Sequence, residues 1–344
     1  MNDFTPRNIL QDSINAPFKF TSDALALFKN YSLNTDIDFS VISNSSLNLL
    51  NILVNSVDKS SSSQRYLIHD GNKGNGKSVN LLQAVVYAYL NDWLIFYIPK
   101  SETLVDSSFN YLPPNDDGIW NQPKLTSELL KTFAEVNKNK LVNIKVKKEY
   151  DPNQGESLYD LCNFGVKYEQ HSCFIFDKVF EELNNQEFNT LIAVDNVHSL
   201  YQASEYRDVN FNRIHPYELS ASKKLLDLLS GNVTLKKGLV LSATSSTLYN
   251  KPIPSYLLQK FNLNLMKPAD EFKKPNEKYL GYLNGLQLFN VNELSFNEAV
   301  GLFESYSKSN NITNVLSDEL LLSKYIESGK STRQFIRGLR QSLQ

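Results

Sequence analysis

The sequence predicts an α/β fold in which helices flank a parallel sheet, with a smaller, mainly helical C-terminal part and an extended N-terminal arm. Three observations lead to this fold class. Apolar runs of five or six residues alternate with amphipathic helical patterns between residues 65 and 243. A glycine-rich stretch follows the first of these runs, and a later run ends in the acid Asp195. After about residue 250 the alternation fades.

Composition narrows the possible classes of protein. The chain has 344 residues, of which 41% are hydrophobic, so it can bury a sizeable core. Thirty-five basic and 37 acidic residues give a net charge of −2, which argues against a general polyanion binder. Two cysteines and four scattered histidines exclude a disulfide scaffold and argue against a zinc or histidine metal site. No apolar run approaches the roughly 20 residues of a membrane span, so we expect no membrane partner.

We divide the chain into three parts. An extended N-terminal arm is expected over residues 1–45, a nucleotide-binding domain over 46–250 and a mainly helical domain over 251–344. The arm is polar with isolated apolar anchors, and it has neither the arginine-rich character of a transit peptide nor an apolar secretory segment. The expectation is therefore a cytosolic protein, or one whose targeting segment is not part of this chain.

The elements of the middle part follow in order from their apolar spacing. Strands are expected where the runs are continuously apolar, as in buried parallel sheets, over residues 65–69, 93–98, 190–194 and 238–243. Helices are expected where an apolar stripe recurs at helical spacing, over residues 45–57, 78–91, 124–137, 156–164 and 217–229. In the C-terminal part we expect one more strand over 286–291 and helices over 296–308, 317–327 and 332–343.

The glycine-rich stretch matches the phosphate-binding pattern G-x-x-x-x-G-K-[ST]. It consists of Gly71, Asn72, Lys73, Gly74, Asn75, Gly76, Lys77 and Ser78, with Val79 directly after it. Glycines permit a tight loop whose backbone N–H groups surround phosphate oxygens. Lys77 would place a cation at the β- and γ-phosphates, Ser78 would bind Mg²⁺, and the following helix would direct its positive end at the anion. Because a predicted strand precedes the loop and a helix follows it, we predict a P-loop NTPase fold.

Asp195 ends an apolar strand, where a P-loop protein holds its Mg²⁺ shell. Alone, such an acid is weak evidence, since it could instead cap a helix or turn, but its order after the P-loop favours the metal role. The next residue is Asn196, whose neutral amide cannot act as the general base that takes a proton from the attacking water. We therefore expect nucleotide to be hydrolysed slowly or not at all. His198 is an alternative base, although a structural or solvent-facing role for it is favoured.

Two further sets of residues are candidates for the same site. At the end of the strand over 238–243, Thr244 or Ser242 is placed to sense the γ-phosphate, or simply ends the strand. Arg333, Arg337 and Arg340 share one face of the last predicted helix. Arg333 would reach the nucleotide, whereas the stripe would equally suit RNA phosphate or a solvated helix face. The same alternatives apply to a lysine cluster formed by Lys138, Lys140, Lys145, Lys147 and Lys148.

The base of the nucleotide stays open on these grounds. The guanine-reading signature Asn-Lys-x-Asp is absent at the predicted strand ends, and the P-loop itself contacts only phosphates. Adenine and guanine are therefore both compatible with the motifs.

Four stretches together resemble the death-associated protein 3 family, whose members are nucleotide-binding components of the mitochondrial small ribosomal subunit. The stretches are the P-loop, WLIFYIPKSETLVD over 93–106, WNQPKLTSELLKTFAEVN over 120–137 and LIAVDNVHSLY over 191–201. The resemblance extends over residues 45–340, and the frequent asparagines suggest a fungal version.

The resemblance implies several properties that the motifs do not. It implies an AAA- or STAND-like P-loop fold that binds GTP or GDP with Mg²⁺, a place in the head of the small subunit, and a contribution to an intersubunit bridge. Gly74, Gly76, Lys77 and Ser78 would surround the phosphates, Asp195 would lie near the metal, and Arg333 would be a second sensor. The partners would be other small-subunit proteins of the mitochondrial matrix, with limited rRNA contact because the net charge is near zero.

Two other functions remain possible at this point. One is a soluble AAA- or STAND-type NTPase acting as an enzyme or switch, which would show appreciable turnover sensitive to Lys77→Ala. Asn196 and the lack of an evident arginine finger argue against it. The other is an interaction scaffold with a decayed P-loop, which the intact Lys77–Ser78 pair argues against.

Overall fold

The computed structural model describes eleven stretches of the chain, namely residues 2–3, 17–19, 22–31, 39–69, 74–148, 150–151, 155–185, 188–245, 252–263, 276–309 and 317–342. The described parts of the N-terminal arm are ordered elements. Strands β1 (Asn2–Asp3), β2 (Pro17–Lys19) and β3 (Phe39–Val41) form a small sheet, and helix α1 spans Ser22–Asn30. Leu27 and Phe28 of α1 are buried, because this helix packs on the central part of the protein.

The central sheet has five parallel strands. They are β4 (Arg65–His69), β5 (Leu94–Ile98), β6 (Thr190–Val194), β7 (Gly238–Ala243) and β8 (Gln287–Asn290). Their order across the sheet is β5-β6-β7-β4-β8, with Ile98 opposite Val194 and Val194 opposite Ser242. The parallel α/β prediction is therefore confirmed, and the carboxyl ends of β4, β5, β6 and β7 meet at one edge.

The remaining helices follow the strands in the predicted alternation. They are α2 (Asn44–Asn55), α3 (Lys77–Leu90), α4 (Pro123–Val136), α5 (Lys138–Leu141), α6 (Leu158–Lys167), α7 (Ser172–Asn185), α8 (Ser220–Ser230), α9 (Ser255–Lys260), α10 (Glu277–Tyr282), α11 (Phe296–Ser309), α12 (Asp318–Glu327) and α13 (Thr332–Ser342). Helices α5, α7, α9 and α10 have no counterpart in the sequence prediction. Short 3₁₀ turns span Ser101–Leu104, Glu169–His171, Val197–Tyr201 and Pro216–Glu218. In the stretches that the structure describes, no helix is both long and apolar enough to cross a bilayer.

Two hydrophobic cores lie on opposite faces of the sheet, because alternate strand residues point to opposite sides. In β5, Phe96 and Ile98 join the core formed with α4, α6, α7 and α8, whereas Ile95 and Tyr97 join the core formed with α1, α2 and α3. The ring of Phe96 lies between 5.2 and 5.9 Å from those of Phe133, Phe176 and Phe180. A third, small cluster unites α11, α12 and α13.

The strand expected in the C-terminal part belongs to the central sheet. β8 pairs with β4, with Ile68 opposite Phe289 and His69 opposite Asn290. The chain then continues into α11, and Val291 donates a hydrogen bond from its N–H to the carbonyl of His69 at 3.0 Å. The C-terminal helices are thereby connected directly to the strand that leads into the P-loop.

Gly165 in α6 provides a packing test. A Cβ atom there would lie 2.7 Å from Leu130 Cδ1 and 2.9 Å from Ile175 Cγ2, because α4 and α7 approach α6 at this point. We expect Gly165→Ala to destabilise the protein by about 1–2 kcal/mol, since overpacking outweighs the gain in helix propensity. Gly281→Ala in α10 is the matched control, because no atom lies within 4 Å of its Cβ position. Urea denaturation should show that control unchanged or stabilised; equal effects of both changes would contradict the packing argument.

Candidate nucleotide-binding site

The P-loop turns from β4 into α3 through left-handed backbone. Gly74 has φ +90° and Gly76 has φ +95°, a region that favours glycine. Gly76 is the N-cap residue of α3, and Lys77 and Ser78 lie in the first turn of this helix. The backbone N–H groups of that turn, which have no partner within the helix, face the loop. Gly71, Asn72 and Lys73 lie outside the described residues, and their predicted role stays a prediction.

A cavity of about 350 Å³ lies over this loop. Three segments line it: the P-loop and the start of α3, the end of β7, and one face of α13. The lining residues are Gly74, Asn75, Gly76, Lys77, Ser78, Val79, Thr244, Ser245, Thr332, Arg333, Ile336, Arg337 and Arg340. The volume lies within the range of small-ligand sites, and four cationic side chains surround it. The arrangement fits an anionic ligand such as a polyphosphate.

Helix α13 forms one wall of the cavity and contacts the P-loop directly. The N–H of Arg333 donates to the carbonyl of Gly74 at 2.9 Å. A Cβ atom on Gly74 would lie only 2.6 Å from Arg333 Cβ, so the close approach requires glycine at this position. The helical spacing places Arg333, Arg337 and Arg340 together, and all three line the cavity. The stripe therefore faces the cavity over the P-loop, and its role toward a nucleotide stays a prediction.

Asp195 lies at the end of β6 with 5% of its surface exposed. Its carboxylate accepts hydrogen bonds from the hydroxyl of Ser78 and, at 2.8 Å, from the N–H of Asn196. Burial raises its pKa to about 6, with a further increase from the charge of Glu102, while the two hydrogen bonds and Lys77 oppose the increase.

Ser78 and Asp195 therefore lie together, as a Mg²⁺ site requires. Among the described residues no cluster of three or more histidine, cysteine, aspartate or glutamate side chains could hold a metal ion. Mg²⁺ binds proteins with one or two carboxylates and completes its shell with water and substrate phosphates. The pair fits that coordination mode, with phosphate oxygens supplying the remaining ligands.

Thr244 follows β7 and lines the cavity. Its Oγ1 lies 2.8 Å from His69 Nδ1, and both residues are buried. Burial lowers the pKa of His69 to about 4, and the charges of Lys77 and His198 lower it further. The other candidate, Ser242, donates its hydroxyl to the carbonyl of Tyr66 at 3.1 Å within the sheet. Of the two candidates, Thr244 is the one that lines the cavity.

His198 and the lysine cluster have structural contacts. The N–H of Ser245 donates to Nδ1 of His198 at 3.4 Å, and this histidine is fully buried. Lys140 donates from Nζ to the carbonyl of Trp93 at 2.8 Å and lies over the ring of Tyr89. Lys140 therefore braces the start of β5, so the cluster is not a uniform surface for RNA.

Sequence reasoning missed four residues of this region. Ser245, Thr332 and Ile336 line the cavity, and their positions next to Thr244 and Arg333 could have indicated them. Glu102 contacts Asn196, with its Oε2 accepting from Nδ2 at 2.9 Å. The sequence offers only one signal for Glu102, an acid shortly after a buried strand.

Asp195→Asn gives a pH-dependent prediction. In the nucleotide-free protein the carboxyl has a folded pKa of about 6 against an ordinary 3.8. The folded protein therefore favours the protonated carboxyl, and this contribution to stability is complete below pH 3.8. As the pH rises through 6 the carboxyl ionises, and the free energy of unfolding falls by about 3 kcal/mol. We expect the asparagine variant to be more stable than the wild type at pH 8 and the difference to shrink toward pH 4.5. Denaturant titrations at both pH values test this, and a variant that is less stable at pH 8 would contradict it.

Comparisons with known proteins place these features in context. The family model described as mitochondrial ribosomal death-associated protein 3 matches residues 40–338. A Neurospora crassa protein named small ribosomal subunit protein mS29 is 26% identical over 280 residues, which are 76% of this chain and 60% of that protein. The Schizosaccharomyces pombe protein of that name is 25% identical over 299 residues, covering 83% and 61%, respectively. The mouse protein is 29% identical over 230 residues, covering 62% and 58%.

The aligned regions span about three fifths of the length of these curated relatives. Among solved structures, the Aeropyrum pernix ORC1 protein in complex with DNA aligns with 85% of this chain and 56% of its own, at 12% identity and a TM-score of 0.38.

Proposed function

Because this chain belongs to the mitochondrial ribosomal death-associated protein 3 family, we propose that it is a structural component of the mitochondrial small ribosomal subunit that binds a guanine nucleotide with Mg²⁺ and hydrolyses it slowly or not at all. Its place would be the mitochondrial matrix, in the head of the small subunit near an intersubunit bridge. The relatives named small ribosomal subunit protein mS29 support the ribosomal part of the proposal.

The observation that carries the nucleotide part is the cavity between the P-loop and α13. Lys77 and the three arginines of α13 surround a space that opens on the N-terminus of α3. These cations, together with backbone N–H groups at a helix N-terminus, suit phosphate oxygens. The side-chain oxygen of Asn75 is buried without a hydrogen-bond partner among the described residues, which fits a loop that a ligand completes.

Slow hydrolysis follows from the residue after Asp195. Asn196 is neutral, so it does not activate a water molecule as an acid at that position would. The nucleotide would then stabilise the domain rather than drive a cycle. The residues that line the cavity are suited to the phosphates and do not select a base. Guanine is therefore proposed on the family expectation alone.

Co-sedimentation tests the ribosomal part. We would express the tagged full-length protein in its own organism and separate a mitochondrial lysate on sucrose gradients, once with Mg²⁺ that keeps subunits joined and once with Mg²⁺ low enough to part them. The proposal predicts that the protein moves with the small subunit in both gradients. Recovery at the top of both gradients would contradict it. Appreciable multiple-turnover hydrolysis by the free protein would favour the soluble NTPase instead.

A further inference from the structure

Asn196 and Glu102 form a contact beside the proposed metal site. Asn196 Nδ2 donates to Glu102 Oε2 at 2.9 Å, and the Asn196 N–H donates to Asp195 Oδ1 at 2.8 Å. Asn196 thus connects two carboxylates, one on each of two neighbouring strand ends. The charge of Glu102 is also a cause of the raised pKa of Asp195, after burial, so the two acids are close in space.

The fold holds Glu102 in this position by several backbone contacts. β5 and β6 are adjacent and in register, and the 3₁₀ turn Ser101–Leu104 follows β5 closely. The N–H of Ser101 donates to the carbonyl of Asp195 at 3.2 Å, and its hydroxyl donates to the carbonyl of Asn196 at 2.8 Å. Glu102 itself is half-buried. Its carboxylate is therefore presented at the carboxyl edge of the sheet by a braced turn.

The backbone of Asn196 is also specialised. It has φ +57°, a left-handed conformation that non-glycine residues seldom adopt. This conformation starts the turn Val197–Tyr201 directly after Asp195, and the side chain contacts Glu102. Asparagine adopts this region more readily than most non-glycine residues, so the turn can direct the Asn196 amide toward Glu102 without strain.

We propose that Glu102 supplies the water-orienting carboxylate that position 196 lacks, and that Asn196 restrains it through the Nδ2–Oε2 hydrogen bond. This inference rests on the proposed nucleotide site and gives its slow hydrolysis a specific cause. When a triphosphate is bound, Glu102 accepts a hydrogen bond from a water molecule that faces the γ-phosphorus. As long as the Asn196 amide donates to Oε2, the Glu102 carboxylate seldom orients the water toward the γ-phosphorus.

The step balances with water as the only co-reactant. The water oxygen attacks the γ-phosphorus, and the bond from this phosphorus to the β,γ-bridging oxygen breaks, with its electron pair staying on the diphosphate. One proton stays on the attacking oxygen and the other passes to a γ-phosphate oxygen, which gives nucleoside diphosphate and dihydrogen phosphate. Glu102 is a catalytic residue in this step because it contacts the water, whereas Asn196 is a positioning residue that acts through Glu102.

Single-turnover hydrolysis of radiolabelled GTP with Mg²⁺, and of ATP in parallel, tests the proposal with the full-length protein. The variants are Glu102→Gln, Asn196→Gly and the double variant; glycine tolerates the left-handed backbone at position 196, so this change removes the amide without adding strain. Glu128→Gln is the matched control, because Glu128 is exposed on α4. Equilibrium binding of each nucleotide is measured for every variant.

We expect Glu102→Gln to lower the rate at least about tenfold while nucleotide affinity changes by less than about threefold. Asn196→Gly should raise the rate about fivefold or more, and the double variant should fall to the rate of Glu102→Gln, because the asparagine acts only through the glutamate. If the hydrogen bond were purely structural, both single variants would lose folding stability. The hydrolysis rate would then change in the same direction in both. The Glu128→Gln control should match the wild type.

Two results would overturn the inference while leaving the proposed function intact. One is a Glu102→Gln variant that binds nucleotide and hydrolyses it at the wild-type rate. The other is the absence of hydrolysis in both the wild type and Asn196→Gly, although both bind nucleotide. Failure of the wild type to bind either nucleotide would overturn the proposed site and this inference together.

Discussion

Lys77→Ala is expected to lower nucleotide affinity by a factor between about 30 and several thousand. Lys77 is only 7% exposed at the first turn of α3, and its charge acts on both His69 and Asp195. Losing one cation from a desolvated pair with phosphate costs about 2–5 kcal/mol, which converts to this range of affinity. Isothermal titration with GTP and Mg²⁺ measures the change directly.

The same variant should lose most of the stabilisation that nucleotide provides. At a concentration of 100 times Kd, bound nucleotide adds about 2.7 kcal/mol to the free energy of unfolding, and the variant would retain less than about 1 kcal/mol at that concentration. Lys124→Ala is the matched control, because Lys124 is exposed at the start of α4 and is not among the residues that line the cavity. Wild-type affinity in Lys77→Ala would show that the P-loop does not hold the ligand.

Phe335→Ala is expected to destabilise the C-terminal helices by about 3–5 kcal/mol. The Phe335 ring is fully buried in the small cluster with Leu294, Ala299, Leu321 and Leu339. Truncation leaves a cavity that so small a cluster cannot refill from its neighbours. Hydrogen exchange should therefore accelerate in α11, α12 and α13 and stay unchanged in β5 and β6.

This substitution should also weaken nucleotide binding, by about tenfold or more, although it removes no polar group from the cavity. The reason is that α13 carries Arg333, Arg337 and Arg340 to the cavity and contacts Gly74 through its backbone. Phe335→Leu is the conservative control, with an expected cost below about 1.5 kcal/mol. Loosened helices with unchanged affinity would contradict the account in which α13 forms one wall of the site.

The sheet and the P-loop could be predicted from the sequence because their signals are local. Five-residue apolar runs such as 94–98 identify buried strands without reference to the rest of the chain. The glycines at 74 and 76 identify a loop that needs left-handed backbone. The helical spacing of Arg333, Arg337 and Arg340 predicted a common face, and that face lines the cavity.

Other features depend on contacts between distant segments. The partner of β8 is β4, more than 200 residues earlier, and no local pattern encodes that pairing. The Glu102–Asn196 contact joins two turns that become neighbours only when β5 and β6 pair. Lys140 resembled a basic-patch residue, but its ammonium group contacts the carbonyl of Trp93.

The omission of α7 has a different cause, since its signal is present in the sequence. Ile175, Phe176, Val179, Phe180 and Leu183 recur at helical spacing and are all buried. This helix packs against α4 and α6, and it contributes Phe176 and Phe180 to the aromatic group around Phe96. The apolar spacing of this segment is therefore sufficient to predict α7.

The central claim is that the cavity between the P-loop and α13 is a nucleotide site. Identifying the nucleotide that the protein carries in its native assembly tests this claim most directly. The assembly is purified, the protein is denatured, and the released nucleotides are separated and quantified against protein. The account predicts close to one guanine nucleotide per chain, and little or none in an assembly that carries Lys77→Ala. Adenine nucleotide at the same stoichiometry would keep the site but contradict its guanine assignment, and the absence of any nucleotide would contradict the claim itself.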